Sequence, residues 1–271
     1  MRIILCAILM VCLLAVCAAG RAQQNVLLPD ESAAKAKELI QQAIAALGGP
    51  AYLGVRDITR AGRFANFSRQ GDLAGYVKFW DFTKLPDKNR TELTDKRNFI
   101  FVNNGSEGWE LDKGGVQDIT ADAAQRFQDG LVKDIDHLFR ARLDEEGMVF
   151  RYSGSDIVDL KQVDWVEVVD RERRTLRIAI DRTSRLPIRT VFITRDRTTR
   201  QRTEEVEYLS NYHPVQGVQT PYQVARERNG LKVYQVFITE CQYNTALDES
   251  LFTRGSLEQR WAELNKGKKK K

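Results

Sequence analysis

Residues 174–195 read RTLRIAIDRTSRLPIRTVFITR, and this stretch decides the fold class. Apolar and polar side chains alternate over 174–181, which is the period of a β-strand with one buried face. The inward set is Leu176, Ile178 and Ile180, and the outward set is Thr175 and Arg177. β-branched and aromatic residues resume over 187–195 after a short polar turn. The segment is therefore predicted to form two neighbouring strands of an antiparallel sheet.

Strand patterns continue on both sides of this pair. Further candidates are 55–64, 74–82, 88–94, 97–102, 148–152, 162–170, 202–209, 218–228 and 231–241. Asn104-Gly105 and Asn229-Gly230 lie between such runs, and Asn-Gly is a strong signal for a two-residue hairpin turn. The run 97–102 is apolar on both faces, which is typical of strands that are covered on both sides or line a cavity. The spacing predicts one antiparallel sheet of about ten strands.

Helical patterns occur in three places. Residues 30–47 carry an apolar stripe that Gly48-Gly49 ends: Ala36, Leu39, Ile40, Ala43, Ile44 and Leu47. A second stripe runs from Thr120 to about Leu143: Ala123, Phe127, Leu131, Ile135, Leu138 and Phe139. A short helix is predicted over 256–265. This arrangement indicates one α+β domain, with an open, curved sheet partly covered by helices.

The first 22 residues are predicted to be an export signal. Met1-Arg2 is a basic start, and 3–16 is an apolar run too short to span a bilayer comfortably. Gly20-Arg21-Ala22 offers a cleavage site before Gln23, and cleavage after Ala19 is the alternative. Of the cysteines Cys6, Cys12, Cys17 and Cys241, only the last lies beyond this segment, so no disulfide is expected within the mature chain. Valine at position 16 disfavours lipid anchoring at Cys17. The mature protein is predicted to be soluble and periplasmic.

The excess of positive over negative charge comes from the two ends of the chain. The 271 residues include 42 basic and 37 acidic side chains. Two of the basic residues lie within 1–22 and five within 266–271, so the remaining body has 35 basic and 37 acidic residues. A nearly neutral body argues against a nucleic-acid partner. We therefore divide the chain into a signal (1–22), one domain (23–265) and a basic tail (266–271), which either solubilises the chain or is attracted to an anionic membrane surface.

Three segments resemble the LolA/LolB-like family of periplasmic lipoprotein carriers. Ile180 to Arg189 is similar to a turn between two strands of that family, 212–221 to the stretch that follows, and 244–252 to its closing segment. The resemblance implies an unclosed antiparallel half-barrel around a hydrophobic cavity, with the N-terminal helix and the inserted helix 120–143 covering its concave face. It also implies a carrier of acylated lipoproteins.

The residues that carry chemistry do not form a recognisable catalytic pattern. His137, His213 and Cys241 lack zinc-site spacing, and the acidic run 144–146 is typical of a solvated loop. We therefore predict no catalytic residues, no metal and no cofactor, and the protein is not expected to be an enzyme.

The function that the sequence favours is the binding of an acyl chain, lipid or lipoprotein, since each buried methylene contributes about 0.8 kcal/mol. Phe79, Phe99 and Phe101 are predicted to face the cavity, and Trp109 is predicted to lie near its rim. The alternative is a non-enzymatic envelope sensor or interaction module that contacts a protein partner through 120–143.

Overall fold

The two strands predicted from 174–195 lie within a single antiparallel sheet of 13 strands. The computed structural model describes residues 27–195 and 199–266. The strands are β1 (Asp57–Phe67), β2 (Leu73–Lys84), β3 (Lys88–Leu93), β4 (Phe99–Asn104), β5 (Glu107–Asp112), β6 (Gly115–Asp118), β7 (Val149–Val158), β8 (Lys161–Val169), β9 (Thr175–Asp181), β10 (Pro187–Arg195), β11 (Arg202–Val215), β12 (Val218–Arg228) and β13 (Leu231–Tyr243). The predicted signal 1–22 and the tail from 267 lie outside the described residues.

The order of the strands shows that the sheet is open. It runs β6-β5-β4-β3-β2-β1-β13-β12-β11-β10-β9-β8-β7, and the two edge strands do not pair with each other. The predicted α+β class and the unclosed sheet are confirmed, whereas the predicted number of about ten strands was too low. One missed strand is β6, which begins at Gly115 with φ of 113° directly after the glycine-containing turn that breaks the strand pattern.

The N-terminal half of the sheet, β1–β6, joins the C-terminal half, β7–β13, through one seam between β1 and β13. The register shifts at Ala61/Gly62, which forms a bulge. At Gly62 the partner backbone comes very close: an added Cβ would lie 2.0 Å from the carbonyl oxygen of Phe237. Glycine is therefore required at this point of the seam.

Side-chain hydrogen bonds join the start of β1 to the segment that follows β13. Asp57 is buried. Its Oδ1 accepts hydrogen bonds from the backbone N–H of Thr245 (2.7 Å) and from the Thr245 hydroxyl (2.9 Å), and its Oδ2 accepts from the N–H of Ala246 (3.1 Å). The backbone N–H of Arg56 donates to Asn244 Oδ1 at 2.7 Å. The closing segment 244–252 is thus fastened to the start of β1.

The helices are α1 (Pro29–Leu47), α2 (Pro50–Leu53), α3 (Ala121–Lys133), α4 (Ile135–His137) and α5 (Arg254–Lys266), with a π-helical turn over Leu138–Arg142 and a 3-10 turn over Glu249–Phe252. All six residues of the predicted α1 stripe are buried. The α1 helix packs on β7, β8 and β12. After it, Gly48 approaches the turn between β11 and β12 so closely that a Cβ would lie 2.3 Å from the oxygen of Gly217.

The second predicted helix is interrupted in its middle. Thr120 caps its start as expected, since its hydroxyl accepts a hydrogen bond from the N–H of Ala123 at 3.2 Å. At Asp134 the backbone is extended, and the Asp134 side chain accepts from the N–H of His137 at 2.9 Å to start a new turn. The expectation of one continuous helix to about Leu143 is therefore wrong, because an aspartate placed to cap the next turn competes with helix continuation.

The seam glycine gives a direct test. Gly62→Ala should lower the free energy of unfolding by about 2–4 kcal/mol, since β1 must move away from Phe237 to admit a methyl group. Gly75→Ala in β2 is the matched control, because the nearest atom to its added Cβ is 4.0 Å away. Urea denaturation would measure both variants, and equal stabilities would contradict the role of Gly62 at the seam.

Candidate functional site

A cavity of about 470 Å³ lies inside the curve of the sheet. Strands β1, β2, β3, β11, β12 and β13 supply most of its lining, and α2, α4 and neighbouring residues cover it. This volume is in the range of small-molecule sites. Both halves of the sheet contribute, so the cavity exists only where the seam brings them together.

Much of the cavity wall is apolar. The side chains that form it are Leu47, Phe64, Phe79, Leu93, Ile135, Leu209, Val218, Val224, Val236 and Ile238. Phe64 stacks against Tyr234, with ring centroids 5.5 Å apart. This part of the wall suits an aliphatic chain.

The same cavity also contains charged side chains, which the sequence analysis did not anticipate. Arg60 of β1 lies across from Asp81 of β2, and its Nη2 is 2.6 Å from Asp81 Oδ2. Asp81 also accepts hydrogen bonds from Asn89 Nδ2 (2.8 Å) and Thr91 Oγ1 (2.9 Å). Although burial opposes both effects, this pairing lowers the pKa of Asp81 and raises the pKa of Arg60. The Arg60 side chain keeps 36% of its surface exposed.

A second pair lies on the other half of the sheet. Arg226 Nη2 is 2.8 Å from Glu207 Oε1, and the Tyr234 hydroxyl donates to the same oxygen at 3.3 Å. The guanidinium of Arg226 also lies over the Tyr234 ring, 5.2 Å from its centroid. Burial and the nearby Glu207 charge raise the pKa of Tyr234, so its hydroxyl stays protonated and donating.

The helical side of the cavity contributes a third charged group. The Tyr52 hydroxyl donates to Asp136 Oδ1 at 2.6 Å, and Arg140 lies over the Tyr52 ring at 4.1 Å from its centroid. Arg140 Nη2 is 3.8 Å from the same Asp136 oxygen, and its side chain is only 6% exposed. Among the described residues no hydrogen-bond acceptor contacts Arg140 Nε or Nη1. The Nε and Nη1 groups of Arg140 therefore remain able to donate hydrogen bonds beside the cavity.

Among the carboxylates that line the cavity, Asp134 has no ion-pair partner within the described residues. It is open to the cavity and surrounded by protein groups, and it accepts one backbone hydrogen bond from His137. Although the Asp134 side chain is exposed at the cavity, loss of water to the protein groups around it and the charge of neighbouring Asp136 raise its pKa to about 6. A protonated carboxyl or an incoming positive group would relieve this repulsion.

The structure separates the four predicted ligand-binding residues. Phe79 is buried and lines the cavity. Phe99 pairs with Leu93, which pairs with Phe79, so the register puts these side chains on one face. Phe101 pairs with Thr91 on that same face but is 39% exposed and lies outside the cavity lining.

Trp109 lies on the opposite face of the sheet rather than at the rim of the cavity. It pairs with Val102 and packs in the outer cluster where α5 covers β4 and β5. That cluster contains Ile100, Val102, Leu111, Phe252 and Leu257. The predicted position was wrong because of the pairing that the two-residue turn at Gly105 sets between β4 and β5. Trp109 lies opposite Val102 and therefore shares its outer face; a turn one residue longer or shorter would have put Trp109 on the inner face.

The charged residues were missed because each resembles an ordinary surface residue of a strand. One usable signal was parity: Asp81 lies two residues after Phe79, so the two share a face in any strand. Arg60 and Phe64 have the same relation four residues apart. A charged residue in phase with the large apolar residues indicates an inward-facing polar group.

The nucleophilic and metal-ligating residues do not form a second site. Burial raises the pKa of the Cys241 thiol, which favours its neutral form. His213 contacts Asn211 and the ring of Tyr222. Within residues 27–195 and 199–266 no cluster of three or more potential metal ligands occurs. In the same part of the chain, every helix is too short or too polar to cross a membrane.

The raised pKa of Asp134 predicts a pH effect on stability. Its usual pKa is about 4, so between about pH 4 and pH 6 the unfolded chain loses this proton before the folded one, and stability falls as the pH rises. Asp134→Asn keeps the cap on His137 without the charge. The variant should match the wild type at pH 4 and exceed its free energy of unfolding by about 1 kcal/mol above pH 7, a value reduced for the open cavity. Asp129→Asn on exposed α3 is the control, and parallel stability curves for wild type and Asp134→Asn would contradict the assignment.

The chain resembles several solved structures in its fold but has little sequence identity with them. No protein-family model and no curated protein matches the chain. A DUF1329 family protein from Desulfovibrio piger superposes with a TM-score of 0.57 at 13% identity, over 82% of this chain and 98% of that one. A domain described as an outer membrane lipoprotein-sorting protein from Vibrio parahaemolyticus gives 0.55 at 14% identity, over 83% and 99%.

A third solved structure bears directly on the resemblance seen in the sequence. A LolA superfamily protein from Nitrosomonas europaea superposes with a TM-score of 0.52 at 11% identity, over 82% of this chain and 99% of the other. All three neighbours are covered over almost their whole length. The chain therefore shares the LolA-like fold, an open antiparallel half-barrel with helices over its concave face.

Proposed function

We propose that the protein is a non-enzymatic binding protein of the cell envelope that holds one amphipathic molecule, such as a lipid or a lipoprotein's acyl chain, in the half-barrel cavity. The observation that carries this proposal is the composition of the cavity, in which a continuous apolar wall lies beside three arginines and four carboxylates. The predicted export signal at 1–22 supports a periplasmic location for this activity.

The apolar wall supports retention of a hydrocarbon chain. Each methylene that leaves water for such a wall contributes about 0.8 kcal/mol, so a chain of several methylenes would be held without any polar contact. Phe64, Phe79 and Val236 lie on neighbouring strands across the seam and form one continuous surface.

The charged groups support a ligand that also has a polar end. A pure hydrocarbon would displace water from Arg60 and Asp134 and leave both charges poorly solvated, which is costly in a cavity of low polarity. A polar group on the ligand would replace that water. Donors on Arg60 and Arg140 and the acceptor Asp134 are the groups that such a ligand would meet.

The contacts of helix α3 support the proposal that this helix is a lid over the open side of the half-barrel. Gln128 Nε2 donates to the carbonyl of Gly105 in the β4–β5 turn at 2.5 Å, and Lys133 Nζ lies 3.1 Å from Glu205 Oε1 in β11. The helix thus extends between strands on opposite sides of the seam, and none of its residues is buried. An element held mainly by polar contacts separates at low cost. These two attachments favour a lid over the alternative in which 120–143 is a docking element for a protein partner.

The test first identifies the bound molecule and then fills the part of the cavity that would hold it. Native mass spectrometry of the protein purified from its own envelope should show a bound amphiphile. Val236→Trp should fill the apolar wall and weaken binding of a fluorescent fatty acid by about tenfold or more, because the lost space equals several methylenes. Val149→Trp, at a position that is 43% exposed, is the matched control.

The outcome that rejects the function is specific. Protein that carries no amphiphile and binds no fatty-acid probe at micromolar concentration is not such a carrier. Unchanged probe affinity in Val236→Trp, with a folded circular dichroism spectrum, would move the binding site away from this cavity.

The predicted aromatic residues can be sorted by a paired measurement. Phe79→Ala should weaken probe binding and also lower stability, by about 3 kcal/mol, since Phe79 is buried in the cavity wall. Trp109→Ala should lower stability without changing probe affinity, because Trp109 packs on the outer face. Thermal melting and probe titration on the same samples separate the two effects. Loss of probe binding in folded Trp109→Ala would contradict this arrangement.

A further inference from the structure

The three arginines that line the cavity differ in how completely their donors are used. Arg60 Nε and Nη2 both donate to Asp81 Oδ2, at 3.2 and 2.6 Å. Arg226 Nη2 donates to Glu207 Oε1 at 2.8 Å. In both cases the two residues are direct partners on neighbouring strands. The sheet itself therefore neutralises two of the three positive charges.

Arg140, the third arginine of the cavity, has the least complete set of partners. Its Nε and Nη1 contact no acceptor among the described residues and have almost no exposed surface. Its Nη2 is 3.8 Å from Asp136 Oδ1, which is longer than a hydrogen bond, and that oxygen already accepts from the Tyr52 hydroxyl at 2.6 Å. The side chain is 6% exposed, although the residue lines the cavity. A buried guanidinium without acceptors is costly, so an incoming acceptor would stabilise it.

The local structure holds Arg140 at the cavity and keeps it charged. The residue lies in the π-helical turn Leu138–Arg142, and its guanidinium lies over the Tyr52 ring, 4.1 Å from the centroid. Although burial opposes the effect, the negative charge of Asp136 raises the pKa of Arg140 above its usual value. Since no hydrogen bond among the described residues fixes the guanidinium, a small rotation can turn its donors towards the cavity while the contact with Tyr52 is kept.

The chemistry of Arg140 favours an anion as its partner. Guanidinium N–H groups bind carboxylate and phosphate oxygens through hydrogen bonds that charge strengthens. The other incompletely paired group of the cavity is Asp134, which would attract a cation, but its side chain is exposed and accepts the N–H of His137. An unpaired charge costs more when it is buried. The stronger requirement for a partner is therefore at Arg140.

Apolar side chains lead away from Arg140 along β13. Tyr243, the last residue of this strand, is close enough to Arg140 to interact with it electrostatically. Earlier in the strand, Ile238 and Val236 line the cavity, and Val236 pairs with Phe64. A strand rises about 3.4 Å per residue, so roughly 20 Å separates Tyr243 from Val236. A hydrocarbon chain whose polar end contacts Arg140 could extend over this distance on an apolar surface.

We propose that Arg140 binds the anionic end of the ligand, through carboxylate or phosphate oxygens, while the hydrocarbon part extends along β13 towards Phe64. This inference rests on the proposed function and narrows it, because the ligand becomes an anionic amphiphile with one orientation in the half-barrel. Arg60 and Arg226 keep their ion pairs within the sheet.

The nature of the polar end is tested with four compounds that share one chain length: palmitate, hexadecyl phosphate, hexadecanol and hexadecylamine. Each is used below its critical micelle concentration to displace a fluorescent fatty acid from the full chain. The better of the two anions should bind about tenfold or more tighter than both the alcohol and the amine, and it identifies the group that Arg140 accepts. An anion without an advantage over hexadecanol or over hexadecylamine would overturn the proposal. Absence of binding by all four compounds would instead reject the proposed function itself.

Substitution tests whether Arg140 is the group that binds the anion. Arg140→Gln should weaken binding of the better anion by about tenfold or more and leave the affinity for hexadecanol within about twofold. Arg189→Gln is the matched control. The Arg189 guanidinium also lies over a tyrosine ring, 4.9 Å from the centroid of Tyr208, and its Nε also contacts no acceptor within the described part of the chain, but it lies outside the cavity lining.

Circular dichroism on the same samples checks that both variants fold. Equal affinities of folded Arg140→Gln and Arg189→Gln for the anion would overturn the assignment to Arg140. The comparison of the four compounds needs no substitution, so it remains decisive if Arg140→Gln does not fold.

Discussion

The hydrogen-bonded seam between β1 and β13 is the constraint on which the rest of the structure depends. Each half of the sheet is a run of hairpins between neighbours in sequence, and the seam alone joins the two halves by strand pairing. The cavity needs both, because Arg60 and Phe79 come from the first half and Glu207 and Val236 from the second. A glycine at position 62 permits the close approach of the backbones, and Asp57 fastens the chain that follows β13.

Local chemistry explains why the segments that resemble carrier proteins are recognisable at all. Asp181 Oδ1 accepts from the N–H of Thr183 at 2.7 Å and so shapes the turn into β10. The Tyr212 hydroxyl donates to the carbonyl of Pro187 at 2.6 Å, which links the second segment to the first. Asn244 adopts φ of 56° at the start of the third. These residues specify turns and strand ends, so they identify the fold and carry no information about a ligand.

The sequence therefore predicts the architecture better than the site. Leu176, Ile178 and Ile180 and the α1 stripe are buried as their spacing predicts, but Ala179 and Asp181 on the other face of β9 are buried as well, so this strand is covered on both faces over its second half. The break at Asp134 was not predictable from the stripe, since apolar spacing continues across it while the capping side chain decides the backbone. The pairing of Arg60 with Asp81 depends on which strands become neighbours, and periodicity within one strand does not contain that information. The interior of the half-barrel is consequently more polar than the aromatic content of its strands suggests.

The seam also sets the order in which the molecule can form. Thr59 pairs with Gln242, so strands from opposite ends of the domain must find each other before the cavity has its two walls. Contacts of such long sequence separation form slowly, because a large loop must close first. The hairpins of each half need no such closure and can assemble as soon as they are made. A chain that is still emerging, whether from a ribosome or through a membrane, thus lacks a finished binding site until its last strand arrives.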